Sequence, residues 1–424
     1  MNKVTLTKSQ SQEEYTTAPE AVDEIIRIGA QQMLAAALQR EVQDFLDRYQ
    51  NEKDERGHRL AVRNGNMPER SLLSCIGPIT IQQPRVDDRK LQASLGVEGF
   101  YSKILPKYAR RTPSLDDLIP SLYLFGISTQ DYPTALKAIL GEKVKGLSAN
   151  VVVRLKEEWE KEYKQWANRD LSDKHYVYIW ADGIYFNVRL KDISPCILVI
   201  IGADENGQKE LLAVKEGIRE SELSWESLLL ELRDQGLVMG PELAIADGAL
   251  GFWKALPKVY PQCREQRCWV HKTANILDKL PKSVHGNAKA LIHEMYMAET
   301  KEKALSAYKR FIKTYEEKYP KAVKCLVKDY DQLFTFYDFP ASHWQHIRTT
   351  NPIESTFATV RLRTRRTKGC GSVKATLTMV FKLAKQAEQR WRRLRGYKLI
   401  PFVMSGEKFI DGIPENQELL KLAA

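Results

Sequence analysis

At residue 176 the hydrophobic period of the chain changes from 3.6 to 2, and any fold proposed for this protein has to accommodate that switch. Upstream, Val151, Val152, Leu155, Trp159, Tyr163 and Trp166 recur at helical spacing. Downstream, HYVYIWADGIYFNVRL alternates as one long strand, PCILVIIGAD reads as a second, and KELLAVKEG as a third after a turn at Glu205, Asn206 and Gly207. SELSWESLLLELRDQG then reads as a helix, ELAIADG as a short buried strand, and a further helix starts near Leu250.

Three antiparallel strands, a helix and a fourth strand crossing back is the element order of a ribonuclease H-like α/β fold. From about 272 to 345 the chain is helical and charged, which we read as a helical insertion, and the basic helix after Asn351 would close the α/β domain. Ahead of the switch the sequence is mainly helical. Residues from Ala18 to Tyr49 read as one or two helices, and SLLSCIGPITIQQPRV as short strands around Gly77 and Pro78. The loop RNGNMPER between them offers Arg63, Asn64 and Arg70 as candidate phosphate contacts. From Ser114, capping pairs at Ser114/Asp117 and Ser128/Asp131, stops at Gly126 and Gly141 and a cap at Ser148 fit either a small helical domain or a helix-turn-helix DNA reader. The domain spans expected are 1–110, a helical DNA-binding domain over 111–172, a catalytic domain from 173–271 and 346–400, an insertion over 272–345 and a tail over 401–424.

The chain has 424 residues, 43% apolar and 28% charged, more than one ordinary core accommodates. It contains no run of eighteen apolar residues, and MNKVTLTKSQSQEEYTT lacks the apolar stretch of a signal peptide, so a cytoplasmic protein without a membrane partner is expected. Six cysteines without scaffold spacing fit a reducing compartment. Residues 361–395 carry twelve Lys or Arg against the single acid Glu388, an excess of eleven that equals the formal net charge of the whole chain. Apolar residues interrupt this block, so it should be folded, and its charge points to a phosphate backbone.

Three carboxylates stand out. Asp182 shares its strand parity with Tyr178, Trp180, Ile184 and Phe186, and a carboxylate on so apolar a face needs a cation, donors or an exposed rim. Asp247 ends the apolar run Leu243–Ala246, at the strand end where open α/β sheets bind ligands. Each precedes a glycine, so a turn aspartate at 182 and a helix-capping aspartate at 247 are the plain alternatives. Glu354 falls three residues after Asn351, a good N-cap, and Pro352 suits the first helical position, which makes it a capping-box residue on the plain reading. Along that helix Ile353, Phe357 and Val360 form a buried stripe, and Glu354, Ala358, Arg361 and Arg365 a second one that would set a carboxylate beside a run of phosphates. Two aspartates from neighbouring strands and a helical glutamate suit a pair of Mg²⁺ ions.

On "WADGIY", "IADGALGFWKAL", "RCWVHKTANI" and "TTNPIEST...RLRTRRTKG", together with "RNGNMPERSL" and "LYLFGISTQDYPTALKAILG", the chain resembles a DDE transposase of the bacterial Mutator-like insertion-sequence family over residues 60 to 400. The resemblance implies a ribonuclease H-like core with an insertion before the glutamate, consistent with separations of 65 residues from Asp182 to Asp247 and 107 from Asp247 to Glu354. It implies that Asp182, Asp247 and Glu354 bind Mg²⁺, with Mn²⁺ able to substitute, and catalyse cleavage at the element's ends and strand transfer into target DNA. The implied partners are double-stranded DNA, at element ends and target, and a second copy of the chain in a homodimer. Arg361, Arg363, Arg365, Arg366 and Lys368 are the predicted phosphate contacts. A DNA-binding regulator or a structure-selective nuclease on the same fold is the alternative.

Cys268 and His271 match the family signature but form half a zinc site by spacing. They are expected to shape the fold beside Asp247 or to touch DNA. His343 and His346 are expected as a packed or hydrogen-bonded pair, and Trp253, Trp269 and Trp344 as core residues rather than base-stacking platforms.

Overall fold

The computed structural model describes residues 18–124, 126–127, 131–140, 149–186, 196–248, 250–366, 372–416 and 418. The chain divides into two compact units, Met1–Val152 and Val153–Ala424.

In the first unit, helix α1 (Ala18–Arg48) runs unbroken for 31 residues. It buries Leu38 against Leu72, Ile79 and Ile81 of a hairpin. Strands β1 (Val62–Asn66) and β4 (Pro84–Asp87) pair antiparallel, as do β2 (Arg70–Ser74) and β3 (Gly77–Ile81). The expected loop at RNGNMPER is therefore partly strand, which alternation could not reveal because all five β1 residues are exposed. Arg70 donates to the carbonyls of Lys107 at 2.7 Å and Pro106 at 3.2 Å, so its guanidinium anchors the backbone. Helices α2 (Arg89–Leu95), α3 (Pro113–Leu124) and α4 (Tyr132–Leu140) follow. Ser128, Gly141 and Ser148, the expected caps and stop, lie outside the described residues.

In the second unit, α5 (Ala149–Ala167) contributes Trp166, whose ring lies 4.8 Å from that of Phe381, and Tyr163, which donates to the Val214 carbonyl at 2.8 Å. The core is a five-stranded mixed sheet of β5 (Tyr176–Tyr185), β6 (Cys196–Asp204), β7 (Lys209–Gly217), β8 (Leu243–Ala246) and β9 (Arg264–Arg267), in the order β7-β6-β5-β8-β9. β6 runs antiparallel to β5 and β7, whereas β8 is parallel to β5 and β9 to β8. The first strand ends at Tyr185, and the rest of its predicted length, 187–190, lies outside the described residues. β5 passes through Asp182 and Gly183 in register with Val199 and Leu198, so the first Asp-Gly is strand and not turn.

Alternation sorts the strand residues between two faces. Ile179, Ala181, Leu198 and Ile200 pack under α6 (Glu222–Asp234) and α7 (Leu250–Val259), which add Trp225, Leu229, Phe252 and Leu256. After β9 come α8 (Trp269–Leu277), α9 (His285–Met297), α10 (Lys301–Tyr315), α11 (Pro320–Val327), α12 (Tyr330–Leu333) and α13 (Trp344–Ile347), with short 3₁₀ turns between them. α14 (Asn351–Arg366) then crosses β5 and β6 and buries Ile353, Phe357 and Val360 completely. α15 (Val373–Glu388) lies on β7, and α16 (Ile400–Met404) and the hairpin β10–β11 (Phe409–Ile410, Ile413–Pro414) end the described fold.

Candidate active site

The parallel register aligns three strand ends. Ala181 pairs with Ala246, and Ala246 with Arg267, so Asp182, Asp247 and Cys268 each follow the last aligned residue of adjacent strands. Carboxyl ends of strands in open α/β sheets are where ligands bind. Asp182 is 6% exposed and accepts the Gly183 N–H at 2.8 Å. Burial, then the charges of Asp247 and Glu220, push its carboxyl up to about 7, although His271 pulls the other way. Asp247 is half-buried, and its carbonyl accepts the Trp253 indole N–H at 2.7 Å, which ties the loop to α7.

Two charged residues join this cluster that sequence reasoning missed. The chain leaves β7 through Arg219 in the left-handed region at φ 57, a conformation that costs a non-glycine residue about 1 kcal/mol. Glu220 follows, with its carboxyl over Gly183, where an added Cβ would lie 2.6 Å from Cδ and Oε1. Burial and Asp247 raise Glu220 to about 7, against a hydrogen bond from Tyr185. At the other aspartate, an added Cβ on Gly248 would lie 1.9 Å from Nη2 of Arg267. Both glycines mark the close approach of a charged side chain. The signal was present in the sequence, but it does not name the partner.

Glu354 belongs to a compact polar cluster. The Thr350 hydroxyl lies 3.3 Å from Cys268 Sγ, 3.3 Å from Glu354 Oε1 and 3.4 Å from His271 Nδ1. The Thr350 N–H donates to the same sulfur at 3.3 Å, and His271 Nε2 stands 3.5 Å from Glu354 Oε1. The Glu354 carboxyl is thus turned to Thr350 and His271 across the first turn of α14. Burial opposes ionisation of Cys268, but His271 and Thr350 hold its thiol below the ordinary value. The hydrogen bond with Cys268, against burial, raises His271 well above the usual imidazole range. One ligand atom from each of Cys268, His271 and Glu354 lies within 4.8 Å of the others, close enough to hold a metal ion.

Of the predicted phosphate contacts, Arg361 is exposed and Arg363 is 4% exposed. Arg363 falls on the flank of the buried stripe, about 60° round the helix from Val360. The side chains of Arg365 and Arg366, and the whole of Lys368, lie outside the described residues. Trp269 and Trp344 are buried with their indole N–H groups on the carbonyls of Leu333 and Phe339. Asp247, Glu220, Tyr185 and Gly248 open onto a cleft of about 550 Å³ whose other lining includes Arg267, Lys272 and Asp329.

The family described as "Transposase, Mutator family" matches residues 1–394. The transposase for insertion sequence element IS6120 of Mycolicibacterium smegmatis is 49% identical over 298 residues, 70% of this chain and 92% of that protein. The transposase for element IST2 of Acidithiobacillus ferrooxidans is 48% identical over 285 residues, 67% of this chain and 96% of the relative. A more distant relative, the transposase for element ISRM5 of Rhizobium meliloti, is 25% identical over 381 residues, 89% of this chain and 90% of its own. These matches define a transposase by class. The chain belongs to the Mutator family of transposases.

Proposed function

We propose that this protein binds the terminal inverted repeats of an insertion sequence, cleaves the DNA at its ends and joins the 3′ ends to target DNA by metal-dependent phosphoryl transfer. The observation that carries this reading is the alignment of Ala181 with Ala246 on parallel strands, which brings Asp182 and Asp247 to one sheet edge, on the side α14 covers. The sheet order β7-β6-β5-β8-β9, with three antiparallel strands and two parallel ones, supports a ribonuclease H-like core built from 173–271 and 346–400. On this reading 272–345 is the insertion, 111–172 binds DNA, and the active species is a homodimer on paired ends.

Asp182, Asp247 and Glu354 would hold the metal, and their chemistry fits a hard divalent cation such as Mg²⁺, with Mn²⁺ able to substitute. A buried carboxyl driven towards neutrality by burial and a second carboxylate is a site that a cation relieves. When bound, the ions polarise the phosphoryl oxygens and activate the attacking water or 3′-hydroxyl. The protein's own groups orient this site: the Trp253 indole fixes the Asp247 backbone, and Thr350 with His271 fixes the Glu354 carboxyl. A soft thiol is a poor ligand for a hard cation, and the Cys268 sulfur, which is fully buried, accepts the Thr350 N–H. Arg361 extends the Glu354 face as a phosphate contact, with Arg365, Arg366 and Lys368 assigned to the same backbone, whereas Arg363 is buried and is left out of that set.

Strand transfer with precut ends, a target plasmid and Mg²⁺ tests this. Joined products are expected from the wild type, whereas a nuclease would cut uncut ends without joining and a regulator would bind without doing either. Asp182→Asn should bind the ends as the wild type does and neither cut nor join; cleavage retained by that variant removes Asp182 from the site.

A further inference from the structure

We propose that Arg267 and Lys272, with the exposed Lys279 and Lys328, form an anion-binding half of the catalytic cleft that takes a DNA backbone phosphate neighbouring the one under attack. The inference rests on the function proposed above and adds a subsite to it.

Arg267 and Lys272 are 6% and 2% exposed, and cations buried that deeply require partners. They share one carboxylate oxygen: Asp329 Oδ2 lies 3.1 Å from Arg267 Nε and 2.8 Å from Lys272 Nζ. The Lys272 ammonium also reaches the Cys325 carbonyl. The guanidinium therefore meets Asp329 through Nε, and its terminal edge is not paired with that carboxylate. Nη1 is buried without a hydrogen-bond partner, and Nη2 lies against Gly248, the residue after Asp247. Two buried cations therefore share a single carboxylate, an excess of one positive charge at that contact. Around the same cleft stand Lys279 and Lys328, against Asp278. The cleft is lined by these four cations and by four carboxylates: Asp278 and Asp329 lie on the helical segment that carries Lys272, Lys279 and Lys328, and Glu220 and Asp247 follow strands of the sheet.

The position follows from topology. Arg267 ends β9 in register with Ala246, one strand from Asp247, and neighbouring strands lie about 4.8 Å apart. An anion at Arg267 is thus next to whatever group Asp247 serves. A planar guanidinium suits a phosphate, which it would meet here through Nη2, and a lysine pair beside it adds charge without direction. A phosphodiester supplies the anion required here while continuing into the acidic part of the cleft.

The test uses the full chain with an end-bearing duplex and an unrelated duplex, binding being measured in EDTA so that no metal contributes. Lys279→Ala/Lys328→Ala, a surface pair, should weaken binding to both duplexes about tenfold at ~0.1 M salt, and flatten the plot of log K against log salt by about 1–2. Arg267→Gln, with its melting transition checked, should lose at least about tenfold in cleavage rate at saturating DNA, and Arg267→Lys should recover only part of it. Inorganic phosphate should compete with DNA for the wild type and not for Arg267→Gln. An unchanged salt slope in the lysine pair, with wild-type cleavage by Arg267→Gln, would overturn the subsite and leave these cations as counter-charges for Asp329. If Arg267→Gln does not fold, the salt slope of the lysine pair decides. A wild type that never cuts or joins its ends refutes the catalytic reading instead, and the slopes in EDTA still decide the subsite.

Discussion

The glycines after Asp182 and Asp247 carry more information than their usual association with turns. Neither has positive φ; what each lacks is room for a side chain, because Glu220 occupies the space at Gly183 and Arg267 that at Gly248. The two cases differ in what can yield. The Glu220 carboxyl ends a flexible side chain, whereas the Arg267 guanidinium is held by Asp329. Gly183→Ala should therefore leave thermal stability nearly unchanged while displacing Glu220. Gly248→Ala should cost about 1–3 kcal/mol of overpacking and lower the melting temperature measurably. Equal melting temperatures for both variants and the wild type would show that the Arg267 contact is not a tight one. At this scale the acids can be singled out in the sequence but most of their neighbours cannot, since Glu220 and Arg267 approach Gly183 and Gly248 only through the tertiary fold, whereas Thr350 meets Glu354 locally, four residues before it.

Among the elements, β5 to β8 and α6 are legible because each carries an unambiguous period: two for the strands, 3.6 for the helix. β9 is not. Its residues, Arg-Glu-Gln-Arg, show no apolar alternation, and Gln266 is wholly buried only because its side chain bonds the Leu333 carbonyl and the Phe336 N–H. Likewise His343 and His346 gave no sign of which partners would fix them. His343 Nε2 lies 2.9 Å from the Gly396 carbonyl, which can only accept, so that nitrogen carries the proton and Tyr178 donates to Nδ1 at 2.7 Å. His346 Nε2 accepts the Arg395 N–H at 3.1 Å. The two imidazoles thus fasten the segment after α15 to the central sheet. Burial pushes both down to about 4. The unfolded chain binds these protons near the ordinary imidazole value of about 6.5 and the folded chain only near 4. Stability should therefore fall as pH drops through that window and be unaffected by these groups above it. Urea melts between pH 4.5 and 7.5 should show this loss, and His343→Gln should reduce it by on the order of 1–3 kcal/mol at the acid end. A pH dependence identical in the variant would contradict a neutral buried His343.

For the whole molecule, the net charge of +11 points to a polyanionic partner, but the basic block is not uniformly available to one. Lys374 pairs with Glu160 and Lys382 with Glu162, both on α5, Lys385 pairs with Glu388, and Arg363 is buried. Exposed pairs of this kind contribute little to stability and are screened by salt, so they can give way to phosphates. The block therefore both packs α15 and keeps Arg361 exposed beyond Glu354. On the function proposed above, Glu354 would be the residue on which catalysis and DNA alignment meet. The decisive measurement is Mg²⁺-dependent cleavage and joining of DNA bearing the element's own ends by the wild type and by Glu354→Gln. The account predicts cutting and joining by the wild type, and a loss of about a hundredfold or more in the variant with end binding preserved. Cutting and joining by Glu354→Gln at the wild-type rate would contradict it.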